Sequence, residues 1–574
     1  MVKNNILLGL VLVVALFVRL VNIDEHGIGG DEKTSLTVSQ FIAFEGSNQF
    51  DVFHKATSPY FTPTEFWKHK NKADFYETIA RMDNGSSALY ALSLHYWTSI
   101  FGLSDGTLRG LSVLFSILLV LLLYSFVKEY FGSINLALLA AFLAAIEPLY
   151  VGWSQVVRTY SMTYFFCLLS SYLFFKIIYS KSKIISPWLY LAYGLSVFAG
   201  LMCHYAVFTL FILHGLLTLL FVRNIKTYVG LVAAMLIPAL GMYWWLWHAG
   251  GQAAFKFMAD SAKVYNAMAI KDPQIGYLAP TTFKSVLIQL LPVLSNQYLL
   301  TNGLFDVLQG NKNTVISILT AFVCTSFYWF LKNEAVKKYI IIFGLLLSFV
   351  LYSTSRFQFI SLTAGLLFLM LVIKDTIEQK SETRNVYLSV WILAIFPVLF
   401  LILFAIQDQN TFRIQQKYAG YGMAFMLILV ALSLKKLWTM QNWIKYVGVV
   451  LLAIQAVFLC QTINNIWNDV APRYLSYSIP RAKNPYQMVA ATIIKKYSEG
   501  DTVIYPSDFG KDIEYSVDPP VYSIKDAQLV NFYLPKNATY IQRIDRNERN
   551  KVILKKANGY RLIIFDFKGQ KYRY

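Results

Sequence analysis

The sequence predicts an all-α polytopic membrane protein of about thirteen transmembrane helices, with a small extracytoplasmic α/β domain at its C-terminal end. Of 574 residues, 56% are hydrophobic and 14% charged, and the mean hydropathy is +0.48, a balance too apolar for a soluble globular fold. Apolar runs near bilayer-spanning length recur at 5–20, 108–127, 134–150, 160–178, 187–202, 205–221, 228–247, 314–331, 339–351, 357–373, 386–406, 419–434 and 446–463. Each is scarce in charge, as a span must be. The Lys and Arg residues behind a formal charge of +19 fall mainly in short breaks between those runs and in the tail, as the positive-inside rule expects. A nucleic-acid binder would gather them in a basic stripe on a soluble fold, so no nucleic acid is expected as a partner and membrane lipids are.

Taken in order, the first run follows Lys3 much as a signal peptide would. No small-x-small cleavage site follows, and the run continues through Arg19 to Ile23, which predicts a retained signal anchor. Segment 88–103 is apolar enough to be another span, and charge decides against it. Read as an interfacial helix carrying polar Ser93, His95, Thr98 and Ser99, it leaves every second break basic. Lys128, Arg223 with Lys226, and Lys435 with Lys436 then share the cytoplasmic side with Lys3. Loop 21–88, the 153–159 break, loop 247–313, the 407–417 break and the tail face the extracytoplasmic side of the plasma (inner) membrane. Two domains are predicted: a membrane domain, 1–465, that includes the first loop, and a tail domain, 466–574. The tail opens on Pro472, Arg473, Pro480 and Arg481, then shows a helical run at 486–497 and strand-like runs at 502–505 and 560–567. Cys167, Cys203, Cys324 and Cys460 lie in or beside apolar runs, with no metal or disulfide spacing.

Chemistry is concentrated where the first span ends, at Gly27-Ile28-Gly29-Gly30-Asp31-Glu32-Lys33-Thr34-Ser35. Adjacent carboxylates at such a place are often plain solvated surface. Here a helical pattern follows them through Phe44, which puts Asp31 near a helix N-terminus, where the dipole favours the ionised form a general base needs. On the same predicted face lies Arg158, which either snorkels to the interface or meets a phosphate through paired hydrogen bonds. Asp83 is expected to cap the 88–103 helix, and Asn84 to offer hydrogen bonds to a sugar or phosphate. His204 lies at an outer span boundary. Arg413 and Lys417 are basic on the outer side, an exception that asks for an anionic partner, either a lipid-linked phosphate or ordinary headgroups.

Together Arg19-Leu20, the Gly29-Gly30-Asp31-Glu32 turn, an apolar helix ending 97–103 with Arg109 and Ser112 following, Ser154-Gln155-x-x-Arg158-x-Tyr160, and His204-Tyr205 resemble the GT-C glycosyltransferases. The nearest branch is the protein O-mannosyltransferase and aminoarabinose transferase group, glycosyltransferase families 39 and 83. The resemblance implies inverting transfer of a sugar from a polyprenyl-phosphate donor to a lipid, glycan or protein acceptor. It further implies Asp31 as the catalytic carboxylate, Glu32 supporting it or binding substrate, and Arg158 at the donor phosphate. Tyr160 and His204 complete the predicted substrate-binding set with Asp83, Asn84, Arg413 and Lys417. The chain has no Asp-x-Asp triplet, so no obligatory metal is expected, with a divalent ion left open. The alternative is a polytopic transporter or lipid-linked-glycan flippase. Transporters usually bury ionisable groups at mid-span, whereas Arg19 and Glu147 lie near span ends.

Overall fold

Long charge-poor runs bounded by Ser, Asn or Pro caps become the membrane helices of the computed structural model. It describes residues 2–43, 48–53, 55, 57–68, 70–180, 182, 185–302, 311–353, 356–440, 442–470, 480–507 and 524–573; Phe44, Pro472 and Arg473 lie outside these. Among the described residues, eight helices are long and apolar enough to cross a membrane: Asp105–Phe131, Tyr160–Ile178, Ile225–His248, Lys312–Phe330, Phe359–Glu378, Ser381–Asp408, Gln416–Thr439 and Ile444–Trp467. Shorter apolar helices stand at Asn4–Leu20, Pro187–Cys203 and Tyr205–Phe221, and a helix at Glu334–Leu351. The Ala88–Phe101 helix has 14 residues, about 21 Å at 1.5 Å per residue, short of the roughly 30 Å hydrocarbon core.

The expected single span at 134–150 is two helices, Ile134–Ile146 and Pro148–Ser154, bent by 53° at their junction. Pro148 has no N–H to give back to the preceding turn. The Glu147 carboxylate accepts instead from Leu149 N at 3.3 Å, and the carbonyls freed at the break need other donors. Arg19 supplies them: its Nη1 donates to Ala145 O at 2.7 Å and its Nη2 to Ala144 O at 3.2 Å. The arginine at the end of the first span thus stitches the broken one.

The tail and the first loop fold together. A five-stranded sheet has the order β1-β3-β2-β4-β5, with β1 Tyr60–Phe61, β2 Thr502–Pro506, β3 Ile541–Asp545, β4 Lys551–Lys555 and β5 Arg561–Asp566. Strands β2 and β3 run parallel and the other pairs antiparallel, and β1, from the first loop, closes one edge against β3. The helices Pro485–Lys496 and Lys525–Asn531 cover it. Ile28, Leu36, Phe61 and Phe66 of the loop share one core with Tyr486, Val503, Tyr505 and Phe532 of the tail. Gln528 Nε2 donates across to Ala43 O at 2.9 Å and Gln49 Oε1 at 2.8 Å. The boundary drawn at residue 465 therefore does not coincide with the packing, because loop 21–88 lends its apolar face to the tail.

Candidate active site

Gly29 is extended (φ −82°, ψ −177°) and the helix Gly30–Ser39 begins after it, so Asp31 and Glu32 occupy its first turn. Consecutive helical residues point about 100° apart, and the two carboxylates part company. Glu32, expected either to support Asp31 or to bind substrate, is fully buried. Its Oε2 accepts from Gly29 N at 2.8 Å, Arg109 Nη2 at 3.3 Å and Arg481 Nη1 at 2.5 Å. Its Oε1 accepts from Arg109 Nε at 3.1 Å and Val157 N at 2.9 Å. Burial pushes the carboxyl's pKa up, but Arg109 and Arg481, with the Gly29 amide, overcome it and hold the pKa at about 2. Arg109 also donates to the carbonyls of Ile23, His26 and Gly27 at 2.7, 2.7 and 3.1 Å, fixing the chain that enters the helix.

Because Glu32 holds Val157, their sequence neighbours Asp31 and Arg158 are carried to the same place. Asp31 is exposed and interacts electrostatically with Arg158, Asp83 and Lys417. Among the described residues its carboxylate makes no ion pair. Arg158 reaches Ser35 Oγ and Asp83 Oδ1, both at a long 3.4 Å, and its buried Nε has no hydrogen-bond partner among the described residues. Burial opposes the Arg158 charge, while Asp83, Asp31 and Tyr160 raise its pKa.

Asp83 does not cap the Ala88–Phe101 helix. It ends the helix Lys72–Asp83 and pairs with Arg158, while burial, more than Asp31, raises its pKa against Arg158 and Ser87. Ser87 stands at the cap position in the left-handed region, without a capping hydrogen bond. Asn84 and Gly85 are left-handed too (φ 54° and 72°), and this turn swings Asp83 away from the next helix. A Cβ at Gly85 would meet Gly251 Cα at 2.4 Å, so the turn is closely packed. Asn84 serves it through its backbone.

Aromatic rings wall the site beside Arg158. Trp153 and Tyr160 lie 4.1 Å apart, centroid to centroid, Tyr160 and His204 5.7 Å, and His204 and Tyr418 5.7 Å. Burial, then Arg158, Lys417 and Arg413, lower the His204 pKa to about 3. Its Nδ1 accepts from Ala206 N at 3.2 Å, which leaves a neutral ring with the proton on Nε2. Arg413 finds its anion inside the chain, with its Nε 2.7 Å from Asp408 Oδ2. Lys417 lies 5.1 Å from the centroid of the Tyr418 ring. Their loop is pinned by Gln289 Nε2, which donates to Thr411 O at 2.9 Å, and by Tyr265 stacked on Phe412 at 4.0 Å.

The structure thus gathers Asp31, Asp83, Arg158, Tyr160, His204 and Lys417, withdraws Glu32 into the core and gives Arg413 an internal partner. Arg481 was missed as a site neighbour. Its only sequence signal was an arginine after Pro480, and nothing in the spacing joins it to Glu32. Among the described residues no group of three or more His, Cys, Asp or Glu side chains could hold a metal ion.

No protein-family model and no curated protein matches the chain. In structure it is similar to ArnT from Cupriavidus metallidurans in the apo state, at 11% identity over 94% of this chain and 86% of that one, with a TM-score of 0.36. The same protein bound to undecaprenyl phosphate matches at 12% identity over 92% and 84%, with a TM-score of 0.35. The Archaeoglobus fulgidus oligosaccharyltransferase, in complex with Zn and sulfate, matches at 15% identity over 86% of this chain but 56% of its own, with a TM-score of 0.40.

Proposed function

We propose that the chain is an integral-membrane glycosyltransferase that moves a sugar from a polyprenyl phosphate to an acceptor hydroxyl on the extracytoplasmic face. The observation that carries this is an exposed carboxylate, Asp31, interacting with two cations, Arg158 and Lys417, beside a wall of aromatic rings. Asp31 takes the acceptor's hydroxyl proton as that oxygen attacks the anomeric carbon from the face opposite the phosphate. The carbon–oxygen bond to the phosphate breaks, its electron pair leaves with the lipid phosphate, and Arg158 and Lys417 disperse the charge. The anomeric configuration inverts. Arg158 suits this role because its present contacts are long and its Nε has no hydrogen-bond partner among the described residues. Side chains supply the positive charge, and no step of the proposed reaction runs through a metal. The donor class comes from the motif resemblance.

Arg158→Ala is expected to raise the donor KM about 10–150-fold, the worth of a hydrogen bond to a charged group, in a transfer assay with purified protein and a lipid-phosphate sugar. An unchanged donor KM removes Arg158 from the site. A transporter or flippase would move the lipid-linked sugar across vesicles without forming a glycosylated acceptor, and the same reconstituted protein distinguishes the two.

We further propose that the N-terminus lies in the cytoplasm and the tail outside. Single cysteines at Ser180 and Glu499, both exposed, in a protein whose Cys460 is replaced by Ala, should label from the inside and the outside respectively. The reverse pattern overturns the orientation.

A further inference from the structure

We infer that Arg481 is a positioning residue for transfer, acting through Glu32 on Asp31, so that the C-terminal unit is a working part of the site; this rests on the reading of Asp31 as the base. Arg481 comes from 449 residues away in sequence to reach Glu32 Oε2. Its Nε and Nη2 hold Asp469 Oδ2 and Oδ1, each at 3.0 Å, and its own N–H donates to Asp469 Oδ2 at 2.5 Å. Asp469 is fully buried, two residues beyond the end of the last membrane helix, Asn442–Trp467. One guanidinium therefore ties the last span to the first turn of the Gly30–Ser39 helix.

The two oxygens of Glu32 do different things. Oε1 carries Val157, and with it Arg158, while Oε2 carries Arg481 and the helix start. The plane of this carboxylate sets how the base-bearing turn faces the cation-bearing break. Next to Glu32, Lys33 is buried and donates to the Arg573 carbonyl at 2.5 Å, with the Tyr486 ring centroid 5.3 Å away. Glu32 and Lys33, the two residues that follow Asp31, are thus both held by the tail. A misplacement of about 1 Å at a reacting group can cost about 100-fold in rate, so a tether here acts on turnover more than on donor binding.

The test is kcat and donor KM per folded molecule, in the full-length purified protein. Arg481→Leu alone would strand the buried Asp469 carboxylate, so the informative variant is Arg481→Leu with Asp469→Asn, which leaves Glu32 and Arg109 balanced. It is expected to lose roughly 10–100-fold in kcat with donor KM changed less than about threefold. Arg481→Lys keeps one charge but cannot span both carboxylates, and its kcat should fall between the two. That variant carries the test should the double one fail to fold. Wild-type kcat in either variant, with Asp31→Asn inactive in the same assay, overturns the positioning role alone. An active Asp31→Asn overturns the reading beneath it, whatever Arg481 does.

Discussion

Asp31→Asn is expected to lower sugar transfer by about 10²–10⁴-fold, the range a positioned general base contributes, while the protein accumulates and melts as the wild type does. The second half of that expectation is as specific as the first. Asp31 is exposed and its carboxylate makes no ion pair among the described residues; surface substitutions of this kind usually change stability by no more than about 0.5 kcal/mol. Asn keeps the size and the helix-start preference but cannot take a proton. Turnover measured per folded molecule, alongside the melting temperature, checks both halves, and a fall in stability equal to the fall in activity would make Asp31 structural.

Glu32→Gln should show the opposite pattern. Glu32 is enclosed by Arg109 and Arg481, and removing one partner of a buried ionic cluster costs about 3–5 kcal/mol because the remaining charges lose their compensation. The variant is expected to yield much less folded protein, with the tail released to protease. Its pH behaviour carries a sign that can be checked. The folded pKa of about 2 lies below the ordinary 4.5, so Glu32 contributes stability that is fully present above about pH 4.5 and is lost as pH falls towards 2. Glu32→Gln should be less stable than the wild type at neutral pH and should lose less of what remains on acidification through that window. A variant as stable as the wild type, with the same acid limb, would contradict the buried pairing.

The two carboxylates show how far a sequence of this kind can be read. Apolar runs are local properties, and the described helices stand at those runs, with the 134–150 run divided in two. Asp31 was legible because a helix start after a glycine turn is local too. Which of the adjacent acids faces water was not, because that is decided by Arg109 and Arg481, 77 and 449 residues away from Glu32. Asp83 misled for a related reason. An acid a few residues before a helix reads as its cap, but the left-handed turn at Asn84 and Gly85 turns it towards Arg158 instead. Arg413 read as a cation awaiting an external anion because Asp408, at the end of the preceding span, carries no signal of pairing until the loop is closed. The break at Glu147 was readable in part: Pro148 was visible, but the donors from Arg19 that make a bent span tolerable come from another helix. The strand Tyr60–Phe61 is only two residues long, too short for any periodicity to announce.

In the proposed reaction one carboxylate takes the proton while the cations opposite it hold the lipid phosphate. The most direct measurement separates those two events in a single preparation: polyprenyl phosphate binding and single-turnover transfer by reconstituted Asp31→Asn, with the donor prebound. Wild-type affinity for the lipid phosphate is expected, with a transfer step slowed by at least about 10²-fold. Transfer at the wild-type rate from the bound donor would contradict it.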